Sequence, residues 1–139
     1  MSGRSLYNPH MADNLLRVAP VPKASDFAKA EAFYCEKLGF SKDWEYRPHP
    51  ELPNPVYASF SREGVQLIVS SFSGDSAFGA EARLDVRDVD QLHHEFTTRG
   101  VVIDLKPFDQ TWGNREMYIR DPDRNKLAFV QPLDTEPAS

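Results

Sequence analysis

A single cysteine, Cys35, in 139 residues leaves no internal disulfide to be formed and excludes four-thiolate zinc sites. No apolar run approaches the roughly 18–20 residues that cross a bilayer. The first ten residues, MSGRSLYNPH, lack the apolar stretch of a secretion signal. These absences predict a soluble, cytoplasmic protein. Positive charge is also scarce, with 16 Lys and Arg against 21 Asp and Glu and a net charge of −5. A chain of that balance is not drawn to nucleic acid or to an anionic membrane by its net charge. There is no P-loop, no G-x-G-x-x-G and no G-x-S-x-G, so the common phosphate-cradling and serine-nucleophile signatures are missing.

What remains is ordinary for one domain. The length lies within the roughly 100–200 residues typical of a domain. At about this size folding buries some two-thirds of the unfolded surface. Residues 1–10 have no periodicity, and His10-Met11 is what a common cloning site leaves before a natural start. The expectation is a leader over 1–10, a single domain over 11–132 and a disordered tail over 133–139. Without Arg4 the chain is one unit more negative.

The domain says the same thing twice. Leu15 to Val21 is apolar enough for a strand. Ser25 offers a helix N-cap. Phe27, Ala30, Phe33, Tyr34 and Leu38 follow at helical spacing, and Gly39 stands where a glycine ends a helix. Phe40 to Tyr46 reads as a strand. After a loop with four prolines (Pro48, Pro50, Pro53, Pro55), Val56 to Ser61 and Val65 to Ser70 read as a hairpin turning at Arg62-Glu63-Gly64. In the second half Ala82 to Val86 is a strand. Asp88, with Gln91 three residues on, opens a helix in the manner of a capping box. Val89, Leu92 and Phe96 mark its apolar face and Gly100 stops it. Val101 to Leu105, Arg115 to Arg120 and Lys126 to Gln131 are strands. Each half is β-α-β-β-β, with repeats over 14–72 and 78–132. One helix cannot cover both faces of a four-stranded sheet, so two such units predict a curved cup of mixed sheets around a cleft.

This pattern resembles the vicinal-oxygen-chelate superfamily, the glyoxalase/bleomycin-resistance/dioxygenase fold. The resemblance runs from Leu15 to Gln131. Its marks are SDFAKAEAFYCEKLGF (Ser25–Phe40), LDVRDVDQL (Leu84–Leu92) and TWGNREMYIRDPDRNKLAFV (Thr111–Val130). Trp-Gly followed by Arg-Glu, an apolar strand and Asp-Pro-Asp is similar to the bleomycin-resistance branch, as is GFSKDW (Gly39–Trp44). Arg124 stands where the family turn has Gly, and Asn125, which tolerates positive φ, is expected to carry that turn. The resemblance implies an α+β fold and a homodimer that exchanges strands.

The superfamily's enzymes hold a divalent metal with four side chains from the first and last strands of each repeat. Aligned by the helix starts, those positions are Ala19, Ile68, Glu81 and Ala128. Only Glu81, and Gln66 if the register slips, offers a donor, so no metal or other cofactor is expected. His10 is in the leader and His49 in the proline loop. His93 and His94, adjacent on a helix, point about 100° apart and cannot share an ion. Cys35 has no histidine near in sequence, which predicts a packed thiol rather than a nucleophile. The Asp85, Asp88, Asp90 spacing fits no calcium loop.

Aromatic side chains remain: Trp44, Tyr46, Tyr57 and Phe72 in the first half, and Phe108 and Trp112 in the second. Rings bind flat heteroaromatic groups by stacking and cations through their faces. Tyr57 and Ser59 share one strand face while Phe60 takes the other, toward the core. The predicted ligand wall adds Ser59, Glu81, Gly113 and Arg115 to the six rings. Resemblance to the bleomycin-resistance branch implies metal-free, non-catalytic sequestration of a cationic, aromatic-tailed antibiotic at a dimer interface. The other readings are a metal-dependent lyase, transferase or dioxygenase of the same fold, and a binder of some other small molecule, since the proline loop Arg47–Pro55 reshapes the groove. Stoichiometric metal on elemental analysis separates the enzyme from the binders.

Overall fold

The computed structural model describes residues 13–133. The leader proposed for 1–10 and the tail beyond Leu133 lie outside the described residues. The first half supplies a three-stranded antiparallel sheet, β1 (Ser41–Tyr46), β2 (Tyr57–Arg62) and β3 (Val65–Ser70), in the order β1-β2-β3. The second supplies β4 (Glu81–Asp85), β5 (Ile103–Asp109), β6 (Asn114–Arg120) and β7 (Lys126–Pro132), in the order β4-β7-β6-β5. β4 runs parallel to β7 and the other pairs are antiparallel. β5 takes Pro107 within its span because it is an edge strand, where a missing N–H breaks no ladder.

The first helix, α1 (Phe27–Ala32), continues as one π-helical turn over Phe33–Lys37. Its cap is Asp26, one residue later than expected. Ser25 and Asp26 are both competent caps, but Asp26 holds the extended backbone and its carboxylate accepts from Lys29 N. The next free donor, Phe27 N–H, goes to Asn54 Oδ1 of the proline loop at 3.0 Å. Gly39 closes the helix at φ +78°. The second helix, α2 (Val89–Thr98), is capped by Asp88 through Gln91 N, and Gly100 follows at φ +82°. The β2–β3 turn is a two-residue loop. Arg62 pairs with Val65, and Glu63 and Gly64 both have positive φ, which matches the twist of a tight hairpin.

The strand expected over Leu15 to Val21 is not formed. Residues 20–24 do run parallel to β3, since Pro20 O and Pro22 O accept from Ile68 N and Ser70 N, and Ala24 N–H donates to Ser70 O. Pro22 has no N–H to return to Ile68, so the ladder shrinks to the single bridge Lys23–Ser70. Leu15, Leu16 and Val18 are exposed. The turn before β7 also differs from expectation. Arg124 itself takes positive φ, +67°, while Asn125 is buried and bonded on every side.

One core joins the halves. Phe27, Tyr34, Leu38, Phe60 and Leu67 of the first half pack with Val89, Phe96, Met117, Ile119 and Leu127 of the second. Tyr34 OH donates to Asp121 Oδ2 at 2.7 Å, and Arg62 reaches Glu95 of α2 at 2.8 Å. Arg99 donates to Glu36 O at 3.0 Å, so the C-terminal ends of the two helices abut. The helix-bearing faces of both sheets are thereby consumed, and the opposite faces are left outward.

Candidate ligand-binding faces

On the first sheet, Trp44 stands opposite Ser59 and Tyr46 opposite Tyr57, so all four share the outward face. Phe60 is fully buried on the other side. Trp44 and Tyr57 lie with ring centroids 5.7 Å apart, and Tyr46 stacks on Phe72 at 6.1 Å with planes 6° apart. Trp44 and Tyr46 remain 45% and 57% exposed, enough to receive a guest. Ser59 is buried and touches no solvent; its hydroxyl donates to Asp43 Oδ2 at 2.7 Å and accepts from Gln66 Nε2 at 2.9 Å.

Asp43 is a residue of this face that no sequence pattern marks. The β1–β2 register shifts between Lys42 and Trp44, so Asp43 is the extra residue of a bulge, and a bulge re-aims a side chain. Its carboxylate comes round to the outward face, where Ser59 and Ser61 each donate to it at 2.7 Å. Among the described residues no Lys or Arg pairs with it. Alternation along β1 could not have placed it there.

On the second sheet, Phe108 of β5 faces Glu116 of β6. Trp112 sits in the β5–β6 loop, closed by Gly113 N–H to Gln110 O and by Gly113 at φ +95°. Phe108 and Trp112 are 58% and 63% exposed. Glu116, also missed in the sequence, is a buried carboxylate on this face. Trp112 Nε1 (2.9 Å), Tyr118 OH (2.6 Å) and Asn114 Nδ2 (3.3 Å) all donate to it. Burial works to raise its pKa, but the three donors outweigh that and hold it below the ordinary value. Glu81 begins β4 on the same face, exposed and 3.8 Å from Lys126 Nζ.

Arg115 does not join the wall. It alternates with Asn114 and Glu116 along β6 and so points to the helix side, where Asp90 of α2 and Asp109 bind it at 2.9 Å each. Nor do the described residues of a single chain enclose the predicted cleft. Among the described residues no ring of one wall stacks on a ring of the other. A cavity of about 750 Å³ lies instead between the β2–β3 hairpin, β4 and α2. None of the ten predicted wall residues lines it.

The metal positions of the superfamily's enzymes do not fit a metal here. Ala19, Ile68 and Ala128 carry no donor atom, and Gln66 is engaged by Ser59 and Arg17. Among the described residues no group of three or more His, Cys, Asp or Glu could hold an ion. Cys35 is half-buried, and burial, with Glu31 nearby, raises its thiol pKa, the opposite of what a nucleophile needs. No helix of the described residues is long and apolar enough to cross a membrane.

Comparison with known proteins agrees with this fold. The model of a family described as glyoxalase superfamily protein matches residues 11–136. A bleomycin resistance protein of Geobacillus stearothermophilus is 28% identical over 134 residues, covering 86% of this chain and 98% of its own. A glyoxalase/bleomycin resistance protein/dioxygenase superfamily structure from Sphaerobacter thermophilus is 26% identical with TM-score 0.64, over 84% of this chain and 98% of that one. A bleomycin-binding protein complexed with bleomycin shares the fold, with TM-score 0.66 at 21% identity, over 84% and 98% of the two chains.

Proposed function

The chain belongs to the glyoxalase superfamily, and from that premise we propose that it binds and sequesters a cationic antibiotic of the bleomycin class without transforming it. The reading rests on one observation above others. Each sheet turns exposed rings outward on a face that none of the described residues covers: Trp44 and Tyr46 on one, Phe108 and Trp112 on the other. A homodimer completes the site by setting the first-sheet wall of one copy against the second-sheet wall of its partner. The flat tail of the drug stacks between them. Asp43, unpaired by any described cation, attracts the charged part of the guest, and the protein acts in the cytoplasm. The name of the Geobacillus stearothermophilus relative and the bleomycin held by the structural neighbour support the choice of guest.

Calorimetric titration with bleomycin, with and without copper, tests this reading. One drug per subunit is expected, and no heat of binding in either form overturns it. Trp112→Ala weakens binding by at least about 1 kcal/mol, the scale of a stacking contact; unchanged affinity removes Trp112 from the wall. Asp43→Asn costs about 1 kcal/mol and flattens the fall of affinity with salt, because an exposed carboxylate acts through a screened field. An identical salt slope in the variant assigns the steering to another group.

A further inference from the structure

Trp112 presents a puzzle of rigidity. It lies in a short loop with its ring 63% exposed, and a ring so placed ordinarily samples several rotamers. A guest that stacks on it would have to freeze it first, and that ordering weakens binding. We propose that Glu116 is a positioning residue that fixes the plane of the Trp112 ring in the wall and so sets how well a flat aromatic guest stacks there. The inference rests on the reading of this face as the ligand wall.

A carboxylate is costly on a buried stretch of sheet. Glu116 stands between Phe108 on β5 and Val130 on β7, positions that apolar side chains fill on their own. Its two oxygens are divided. Oε2 takes the indole N–H of Trp112 and the amide of Asn114, and Oε1 takes the hydroxyl of Tyr118. Tyr118 is itself clamped, with Lys126 Nζ 3.8 Å from its ring centroid and Glu81 3.8 Å beyond Lys126. Its hydroxyl pKa is pushed up to about 12, chiefly by the bond to Glu116, so it stays a donor. The chain of contacts from β4 through β7 and β6 thus ends on the exposed ring of the β5–β6 loop. Arg83 and Asp85 on β4, paired with each other at 2.8 Å, and Arg120 on β6, bonded to Asp104 of β5 at 3.4 Å, are further charged side chains of this face.

Nitrogen–proton correlation spectra of the guest-free protein test this directly, because the chain has two tryptophans and Trp44→Phe assigns their indole signals. In the wild type the Trp112 signal is expected to shift as pH falls through the lowered pKa of Glu116. In Glu116→Gln that titration disappears, the indole proton exchanges faster with water, and bleomycin binds about fivefold more weakly, the scale of freezing one side chain. Glu81→Gln, which removes another carboxylate of the face, leaves the titration in place. Should Glu116→Gln fold poorly, as a displaced Trp44 signal would reveal, Tyr118→Phe frees Oε1 alone and gives a smaller shift of the same sign. A Trp112 signal indifferent to both variants overturns the proposal, as does a shifted signal with unchanged affinity. Absence of bleomycin binding by the wild type overturns the reading of the face instead, while the indole titration still decides whether Glu116 holds the ring.

Discussion

Replacing Phe60 by alanine is expected to lower the unfolding free energy by about 4 kcal/mol, within the range for truncating a buried ring. The ring has no exposed surface and lies between two others, 6.1 Å from Phe27 and 6.2 Å from Tyr34, with planes 25° and 19° apart. Both neighbours belong to the first helix and its π-helical extension, so they cannot collapse into the void without moving the backbone. A residual cavity therefore adds to the lost transfer energy. Chemical denaturation checks this, and a loss below about 1.5 kcal/mol would mean that the helix relaxes onto β2 as freely as in a volume-conserving swap.

Asn125→Ala should cost about 3 kcal/mol, for a different reason. Asn125 is 1% exposed and makes three bonds with its side chain. It donates to Lys23 O (2.9 Å) and to Asp121 Oδ2 (2.8 Å), and accepts from Ala80 N (3.1 Å). Lys23 belongs to the first half, Ala80 leads into β4 and Asp121 opens the last turn. Alanine would strip partners from all three at once, and each buried group left unmade costs about 1–3 kcal/mol where water cannot enter. For a domain of this size the melting temperature falls by about 10 °C. A drop of under about 3 °C would show that water replaces the amide.

Much of this arrangement was legible in the sequence. Spacing of Phe27, Ala30, Tyr34 and Leu38, the glycines Gly39 and Gly100, and the Glu63-Gly64 turn locate both helices and the β2–β3 hairpin, because those signals are local. Exposure of Trp112 and burial of Phe60 were likewise readable. What failed depended on partners far along the chain. Leu15 to Val21 has a strand's apolarity, yet Pro22 withholds a rung that is seen only once β3 is alongside. Asn125 is the residue that tolerates positive φ, but its inward bonds fix it and push the left-handed conformation onto Arg124. Arg115 stands in the predicted wall, but alternation along β6 sends it to the helices, where Asp90 and Asp109 hold it. Asp43 and Glu116 escaped notice because a bulge aims the first and the second is buried among donors that no spacing rule brings together.

The bulge at Asp43 has a second consequence, in how copies of this protein avoid each other. β1 is the outer strand of its sheet and is exposed along its whole length. A flat outer strand offers a row of free backbone groups on which another chain can grow into a fibril. The extra residue kinks that row, and Lys42, Asp43 and Glu45 lay charge of both signs along it. The same irregularity that turns the Asp43 carboxylate to the outward face thus guards the strand against edge-to-edge pairing, so straightening it would threaten solubility.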